Sequence, residues 1–269
     1  MLSQGLFLIN YQVIFMQSKT PSHKLSVIIP AYRQAKTIVK DIRRIEKILS
    51  QIRYPYEIIV VVDGYGEGTY RAAKKVKSLH VKVLVYMKNQ GKGHAVRLGM
   101  SHATGDYIAF IDSGMEIDPN GISMLLEHME WYNADIIVGS KRHPASVVNY
   151  PSLRKILSFG YQMIVWFLFH LNVRDTQAGI KIFKRRVLER ILPRLLVKQY
   201  AFDLEMLAVA RRLGFKRIYE APIKLKYNFS DFTHASTLKT IFNILIDTLA
   251  IYYRLNILRY YENNSWKKR

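Results

Sequence analysis

The sequence contains no cysteine among its 269 residues. This absence excludes disulfide frameworks, thiolate metal sites and cysteine nucleophiles, and it fits a reducing compartment. Acidic residues are also scarce, since 20 Asp and Glu stand against 41 Lys and Arg and leave a formal net charge of +21. A field of that sign attracts phosphates, anionic lipid headgroups or nucleic acid, and charge alone does not choose among them.

Uninterrupted apolar runs of 18 residues are missing as well, so we predict no membrane-spanning helix. Residues 156–171 nevertheless carry no Lys, Arg, Asp or Glu, and cations stand on both sides of them. We expect this segment to be a helix in a membrane interface, with Trp166 and Tyr161 at headgroup depth, or otherwise a core helix. Residues 238–261 have one apolar helical face interrupted by charges, which leaves the same two alternatives.

The two ends of the chain are less informative. Residues 1–24 form an extension of uncertain role, because the apolar stretch 6–16 is too short to span a bilayer and lacks the features of a signal peptide. It could be an anchor, an extra strand, or a sequence preceding a true start at Met16. The basic residues 267–269 would add attraction to an anionic leaflet.

Residues 25 onward alternate regularly between two patterns. Short runs rich in β-branched and aromatic residues predict buried parallel strands at 25–29, 56–62, 81–86, 107–111 and 136–139. Segments with apolar residues at helical spacing lie between several of them. This alternation predicts an open, doubly wound α/β sheet, and 49% hydrophobic residues suffice to give it a full core.

Ligands of such sheets bind at the carboxyl ends of the strands. Asp63 and Asp112 each end a predicted strand, and two acids at one crevice could hold a ribose hydroxyl, a base edge or a divalent cation. Each could instead cap a turn. The pair Gly91 and Lys92 opens a predicted helix and could cradle phosphate, although the surrounding residues match neither a dinucleotide fingerprint nor a P-loop.

Several motifs, in order and spacing, resemble those of family 2 glycosyltransferases. They are SVIIPAY (26–32), EIIVVVD (57–63), NQGKGHA (89–95), ATGDYIAFID (103–112) and VGS (138–140). The later segments GYQMIVWFL (160–168), VRDTQAGIKIF (173–183) and YAFDLE (200–205) look like those of dolichyl-phosphate β-glucosyltransferases and other polyprenyl-phosphate sugar synthases. The resemblance covers residues 25 to about 227.

The resemblance implies a GT-A type, Rossmann-like fold with a mostly parallel sheet flanked by helices. The catalytic domain would span residues 25–230 and include the apolar interfacial helix 154–171. Residues 231–269 would form an amphipathic membrane-interface helix and a basic tail. By position, the residues implied to bind the nucleotide sugar are Pro30, Ala31, Tyr32, Asp63, Lys92 and Asp112.

The resemblance also implies a Mg²⁺ or Mn²⁺ ion bound by Asp112. The usual second aspartate of the family motif is replaced by Gly114, and Glu116 stands two positions further on. We therefore expect Asp112 and Glu116 to be the metal ligands, because hard cations prefer carboxylate and diphosphate oxygens. Loss of metal dependence is the alternative.

The acceptor decides what else the site needs. A sugar hydroxyl requires a general base, whereas a phosphate monoester is already ionised near neutral pH and requires cations. The resemblance assigns Arg154 to the acceptor phosphate, and Lys141 and Arg142 supply further cations. Residues Asp175 and Gln177 would orient the sugar and phosphate, with Asp175 as the base if the acceptor is a hydroxyl. Asp175 could instead only hold Lys181.

Two further acids, Asp203 and Glu205, open a predicted helix, whose positive N-terminus favours acids, and a functional role is the equal alternative. Together these features predict an inverting glycosyltransferase that moves a hexose from UDP-glucose or GDP-mannose to a polyprenyl phosphate on the cytoplasmic face of a membrane. The alternatives are a related enzyme with a hydroxyl acceptor and a nonenzymatic module that binds a nucleotide sugar or nucleic acid. A nucleic-acid partner is not expected, because Tyr and Trp fall mainly in apolar helices. The oligomeric state stays open.

Overall fold

The computed structural model describes residues 23–148, 152–225 and 238–262, and seven strands within these ranges form one sheet. The spatial order is β3-β2-β1-β4-β6-β5-β7. All neighbours pair in parallel except β6, which is antiparallel to both β4 and β5. The strands are β1 (Leu25–Ala31), β2 (Tyr56–Asp63), β3 (Val81–Tyr86), β4 (Tyr107–Ile111), β5 (Ile136–Ser140), β6 (Ile180–Lys184) and β7 (Ile218–Pro222).

Helices connect the strands and cover the sheet. They are α1 (Ile38–Leu49), α2 (Thr69–Ala73), α3 (Lys92–Ser101), α4 (Gly121–Trp131), α5 (Ser152–Phe169), α6 (Arg185–Ile191), α7 (Phe202–Arg212) and α8 (Leu238–Tyr252). Two clusters of buried apolar side chains make up the core. One contains the stripes of α1 and α4, and the other contains residues of α3, α5, α6 and α7. The predicted α/β sheet is therefore confirmed, with all five predicted strands in place.

Strands β6 and β7 were not among the predicted strands. Strand β6 carries two lysines within five residues, a pattern that does not indicate a buried strand, yet four of its five residues are buried. Because β6 runs against its neighbours, its first residue lies at the edge where β4 and β5 end. The loop 175–179 is thereby brought to the carboxyl ends of the parallel strands.

The apolar helix α5 and the later helix α8 are only half covered. Helix α5 buries Val165 and Phe169, but Phe159 and Phe167 are exposed. The described side chains of α8 follow the same pattern, and the hydroxyl groups of Tyr161 and Thr248 meet at 3.0 Å to join the two helices. None of the helices in the described ranges reaches the length and hydropathy needed to span a bilayer.

Several predictions fall outside the described residues. These are the extension 1–22, the proposed boundary at 230 and 231, the basic residues 267–269 and the side chain of Arg154.

Candidate functional site

The predicted site residues converge on one edge of the sheet. Ala31, Asp63 and Ser140 are the last residues of β1, β2 and β5, and Asp112 directly follows β4. Pro30 and Ala31 are buried in the sheet, whereas the Tyr32 ring is half exposed and the guanidinium of Arg33 lies 5.1 Å from its centroid. The parallel strands place these segments side by side, as the rule for ligand sites in such sheets predicts.

Asp63 anchors the loop that leads into α3. Its buried carboxylate accepts hydrogen bonds from the Tyr86 hydroxyl at 2.7 Å and from the Asn89 side chain at 2.9 Å. The backbone N–H groups of Gln90 and Gly91 donate to it at 2.7 and 2.9 Å. Burial, together with the bond to Asp63, raises the pKa of Tyr86. Asp63 therefore holds the loop that places Lys92, and its oxygens are already occupied.

Lys92 and Asp112 form the central ion pair of the site. Lys92 Nζ lies 2.6 Å from Asp112 Oδ1 and donates a hydrogen bond to Oδ2 at 2.8 Å. Burial alone would lower the pKa of Lys92, but the charges of Asp112 and Asp203 outweigh it and raise the pKa above its ordinary value. Lys92 is therefore a permanent cation, and the Asp112 side chain remains 40% exposed.

The loop 112–116 is held in place by a residue that the sequence did not indicate. The backbone N–H of Gly114 donates to the buried Asp41 carboxylate of α1 at 3.0 Å. Gly114 has φ +89°, a conformation that disfavours an aspartate at this position. Glu116 lies further along the loop and is partly buried. The backbone thus gives a local reason for the missing second aspartate.

The acids of this loop fit a cation that arrives together with a diphosphate. Within the described ranges, no three His, Asp or Glu side chains converge as a cage for a metal ion. Mg²⁺ and chemically similar ions are commonly held by one or two carboxylates plus substrate phosphates. Asp112 is accessible and offers hard oxygen ligands, and Glu116 belongs to the same loop.

Asp175 lies against the loop that follows β5. Its carboxylate accepts the Lys141 backbone N–H at 3.0 Å and lies 3.5 Å from Lys141 Nζ. It also accepts the Gln177 backbone N–H at 3.2 Å. The alternative in which Asp175 holds Lys181 is wrong, because Lys181 instead bonds to Asp203. Asp175 therefore ties the 175–179 loop to the basic loop after β5.

Arg142 connects that basic loop to the apolar helix α5. Its guanidinium donates to Ser158 Oγ at 2.9 Å and lies 5.7 Å from the centroid of the Phe159 ring. Arg142 has no acidic partner among the described residues. Among the described residues, Arg142 is thus a cation without a carboxylate partner, beside an exposed aromatic ring.

One buried polar atom beside Asp175 has no partner among the described residues. This atom is Thr176 Oγ1, whereas the neighbouring Gln177 side chain interacts with the Tyr161 hydroxyl. Buried polar groups in folded proteins are nearly always hydrogen-bonded, so an atom of this kind points to a ligand or water. Its place next to Asp175 supports the prediction that the 175–179 loop faces a substrate.

The sequence-based reading of Asp203 and Glu205 missed how deeply both residues are buried. Asp203 is 2% exposed and binds Lys181, which is completely buried. Glu205 accepts hydrogen bonds from two backbone N–H groups and from the Tyr261 hydroxyl. A helix N-terminus explains an exposed acid but not two buried ones, and the burial of Asp203 beside Lys181 is a tertiary feature that no local signal in the sequence indicates.

Comparisons with known proteins agree with this geometry. A family model described as "Glycosyl transferase family 2" matches residues 26–192. The dolichyl-phosphate beta-glucosyltransferase of Drosophila melanogaster is 33% identical over 210 residues, which make up 72% of this chain and 64% of that protein. Its Homo sapiens counterpart is 32% identical over 210 residues, with 71% and 64% covered. The chain thus spans less than two thirds of these relatives.

Solved structures share the fold at low sequence identity. The mannosyl-3-phosphoglycerate synthase from Rubrobacter xylanophilus is 16% identical with a TM-score of 0.66, covering 87% of this chain and 74% of that one. The glucosyl-3-phosphoglycerate synthase from Mycobacterium tuberculosis, in complex with UDP, is 16% identical with a TM-score of 0.65, covering 86% and 80%. The family match spans more than half of the residues and contains the Lys92 and Asp112 pair, so this chain belongs to glycosyl transferase family 2.

Proposed function

We propose that this protein transfers one hexose, with inversion, from a nucleotide sugar to a polyprenyl phosphate at a membrane surface. The relatives named as dolichyl-phosphate beta-glucosyltransferases support glucose as the sugar and dolichyl phosphate as the acceptor. UDP-glucose is accordingly the first donor to test, and GDP-mannose the second.

The donor would bind across the ends of β1, β2 and β4. Pro30, Ala31, Tyr32 and the loop held by Asp63 would line the nucleoside part of this pocket. Lys92 would lie beside the diphosphate, whose charge grows as the bond to the anomeric carbon breaks. A fixed cation at that place stabilises the leaving group without having to reorganise.

Asp112 and Glu116 would hold a Mg²⁺ or Mn²⁺ ion that accompanies the donor. Such an ion neutralises part of the charge on a leaving diphosphate. The glucosyl-3-phosphoglycerate synthase of Mycobacterium tuberculosis has been solved with Mn²⁺ and UDP, which supports a divalent cation in this fold. For Asp112 to take that role, Lys92 Nζ must release at least one of the two oxygens that it contacts.

The observation that carries the acceptor proposal is the placement of Arg142. Its guanidinium has no carboxylate partner in the described residues and lies beside Ser158 and the exposed Phe159 ring of α5. A polyprenyl phosphate is an anion attached to an apolar chain, and this arrangement offers a cation at the start of an apolar face. Arg154, in the first turn of the same helix, would add a second cation.

A hydroxyl acceptor is less well supported, because it requires a general base with a free oxygen. The Asp175 carboxylate is buried, accepts hydrogen bonds from two backbone N–H groups and forms an ion pair with Lys141. A phosphate acceptor needs no base, since its oxygen is ionised near neutral pH. Asp175 and Gln177 would then orient the sugar and the phosphate rather than remove a proton.

The membrane surface would be contacted by the exposed apolar residues of α5 and α8. Helices of this kind lie in the headgroup region with their apolar face toward the acyl chains. The cytoplasmic face is proposed because the absence of cysteine fits a reducing compartment.

The test is transfer of labelled sugar from UDP-glucose, and in parallel from GDP-mannose, to dolichyl or undecaprenyl phosphate. The detergent-purified full chain would be assayed with Mg²⁺, with Mn²⁺ and with a chelator. A labelled lipid that forms only with a metal ion is expected. Donor hydrolysis without a lipid product would shift the proposal to a hydroxyl acceptor, and absence of donor binding would favour a nonenzymatic module.

A further inference from the structure

A second buried ion pair lies behind the pair formed by Lys92 and Asp112. Lys181 is completely buried on β6, and its ammonium bonds to Asp203 at the start of α7. The same ammonium donates to the Ala178 backbone carbonyl at 2.8 Å. The buried Lys181 side chain thus holds the end of the 175–179 loop through the Ala178 carbonyl.

The two ion pairs share the same aromatic surroundings. Lys92 Nζ lies 5.7 Å from the ring centroids of both Phe110 and Phe202, and Lys181 Nζ lies 5.2 Å from that of Phe110. The charge of Asp203 acts on both ammonium groups. The two ion pairs, Lys92 with Asp112 and Lys181 with Asp203, are therefore close neighbours around the Phe110 ring.

We propose that Asp203 and Lys181 are positioning residues of the donor site, which keep the Lys92 ammonium beside Asp112 and ready for the diphosphate. This inference rests on the proposed function, because it assumes that Lys92 meets a nucleoside diphosphate. Neither residue of the buried pair touches substrate, and both act through Lys92.

The physical reason is charge balance in a poorly solvated place. Without Lys181, the Asp203 carboxylate lacks its nearest cation and draws Lys92 away from Asp112. Without Asp203, the buried Lys181 ammonium repels Lys92 toward solvent. A buried ion pair contributes little net stability compared with an apolar pair, whereas removing one partner leaves an uncompensated charge. The pair is thus better explained by what it does to Lys92 than by stability.

A double-mutant cycle tests the inference through UDP binding, measured by calorimetry with Mn²⁺ on the full chain. Asp203→Asn is expected to raise the dissociation constant about tenfold, while the same change in a Lys92→Met background changes it less than about twofold, because coupled residues are not additive. The matched control is Asp135→Asn, an equally buried acid that ion-pairs with Arg186 and Arg217 before the start of β5. This control should leave UDP affinity unchanged.

Equal effects of Asp203→Asn in both backgrounds would overturn the inference and leave the proposed function intact. Failure of the wild-type protein to bind either UDP or GDP would instead overturn the proposed function, and the inference with it.

A second comparison applies if Asp203→Asn does not fold. Lys181→Met leaves one uncompensated acid, and the double variant Lys181→Met with Asp203→Leu leaves no charge. The double variant should fold, because an apolar pair replaces the buried charges, but we expect both variants to bind UDP at least about tenfold more weakly than wild type, since neither keeps the ion pair that positions Lys92. Wild-type UDP affinity in a folded double variant would overturn the inference.

Discussion

Gly179 leaves the space that the carboxylate of Asp112 occupies. A Cβ atom on Gly179 would lie 2.1 Å from Asp112 Oδ2 and 2.6 Å from its Cγ. The backbone N–H of Asp112 also donates to the Gly179 carbonyl at 2.9 Å. The end of β4 and the start of β6 therefore meet so closely that only glycine fits beside the acid.

Gly179→Ala should consequently weaken donor binding without disrupting the fold. The added methyl group meets a side chain that can rotate, so the Asp112 carboxylate is expected to turn away and lose its contact with Lys92. We expect the dissociation constant for UDP with Mn²⁺ to rise at least about tenfold, which corresponds to about 1.4 kcal/mol. Calorimetry measures the affinity, and circular dichroism verifies that the fold is retained.

Gly160→Ala is the matched control for this change. Gly160 lies in the exposed face of α5, where an added Cβ would meet no atom within 4 Å. Alanine in a helix interior is favoured over glycine by roughly 0.8–1.0 kcal/mol, so this variant should be slightly more stable and bind UDP normally. Unchanged UDP affinity in Gly179→Ala would mean that Asp112 does not take part in donor binding.

The sequence was sufficient to predict the parallel strands β1 to β5 and the acidic residues at their ends. Runs of β-branched residues identify β1 to β5, and the rule that ligands bind at strand ends then selects Asp63 and Asp112. These signals are local in the chain. The resemblance to a known family added the loop 175–179, which the antiparallel β6 brings to the same edge.

The partners of the buried charges could not be predicted in this way. Lys181 in a strand indicates a half-exposed position, and only its bond to Asp203, 22 residues away, makes complete burial possible. Glu205 likewise depends on Tyr261, 56 residues further along the chain. Such pairings are decided by tertiary structure, and neither spacing nor helix position encodes them.

Tyr261→Phe should destabilise the protein through Glu205. The Tyr261 hydroxyl donates to the fully buried carboxylate at 2.7 Å, and burial raises the pKa of Glu205. A buried charge that loses a hydrogen bond costs about 1–3 kcal/mol in the free energy of unfolding. Urea unfolding measures the loss. The control is Tyr253→Phe, at an exposed tyrosine in the π-helical turn that follows α8. Its free energy of unfolding should stay within about 0.5 kcal/mol of wild type.

A loss of equal size in Tyr253→Phe would show that the tyrosine ring environment, rather than the bond to Glu205, accounts for the effect. Retained donor binding in Tyr261→Phe at low temperature is expected, because Glu205 lies outside the proposed donor pocket.

Asp135 should give the protein an acid-sensitive component of stability. Burial opposes ionisation of this acid, but hydrogen bonds from Arg217 and Arg186 outweigh burial and hold its pKa below the ordinary value of an aspartate. A carboxyl with a depressed pKa in the folded state stabilises above its unfolded pKa, and that contribution is lost as pH falls through the folded value. Asp135→Asn should therefore be less stable than wild type at neutral pH.

The difference in unfolding free energy between wild type and Asp135→Asn should stay constant above about pH 5 and shrink below the unfolded pKa. Urea unfolding at a series of pH values measures it. A difference that does not depend on pH would show that hydrogen bonding, and not the charge of Asp135, stabilises this edge of the sheet.

Arg142→Met should weaken binding of the acceptor without changing binding of the donor. If the guanidinium binds the acceptor phosphate, its loss removes a charge-assisted contact, and the KM for polyprenyl phosphate should rise at least about tenfold. UDP affinity should not change, because Arg142 contacts Ser158 and Phe159 of α5 and no residue of the proposed nucleoside pocket. Arg53→Met, at an exposed arginine paired with Glu127, is the control and should leave both quantities unchanged.

The kind of acceptor can be determined by comparing Arg142→Met with a second variant, Phe159→Ser. Phe159→Ser removes the exposed ring while leaving the cation, so it should weaken a long-chain acceptor more than a short, water-soluble prenyl phosphate. Arg142→Met should weaken both acceptors equally, since both carry the phosphate. An unchanged KM in Arg142→Met would place the acceptor phosphate elsewhere, and equal effects of Phe159→Ser on both acceptors would mean that the apolar face of α5 does not contact the lipid chain.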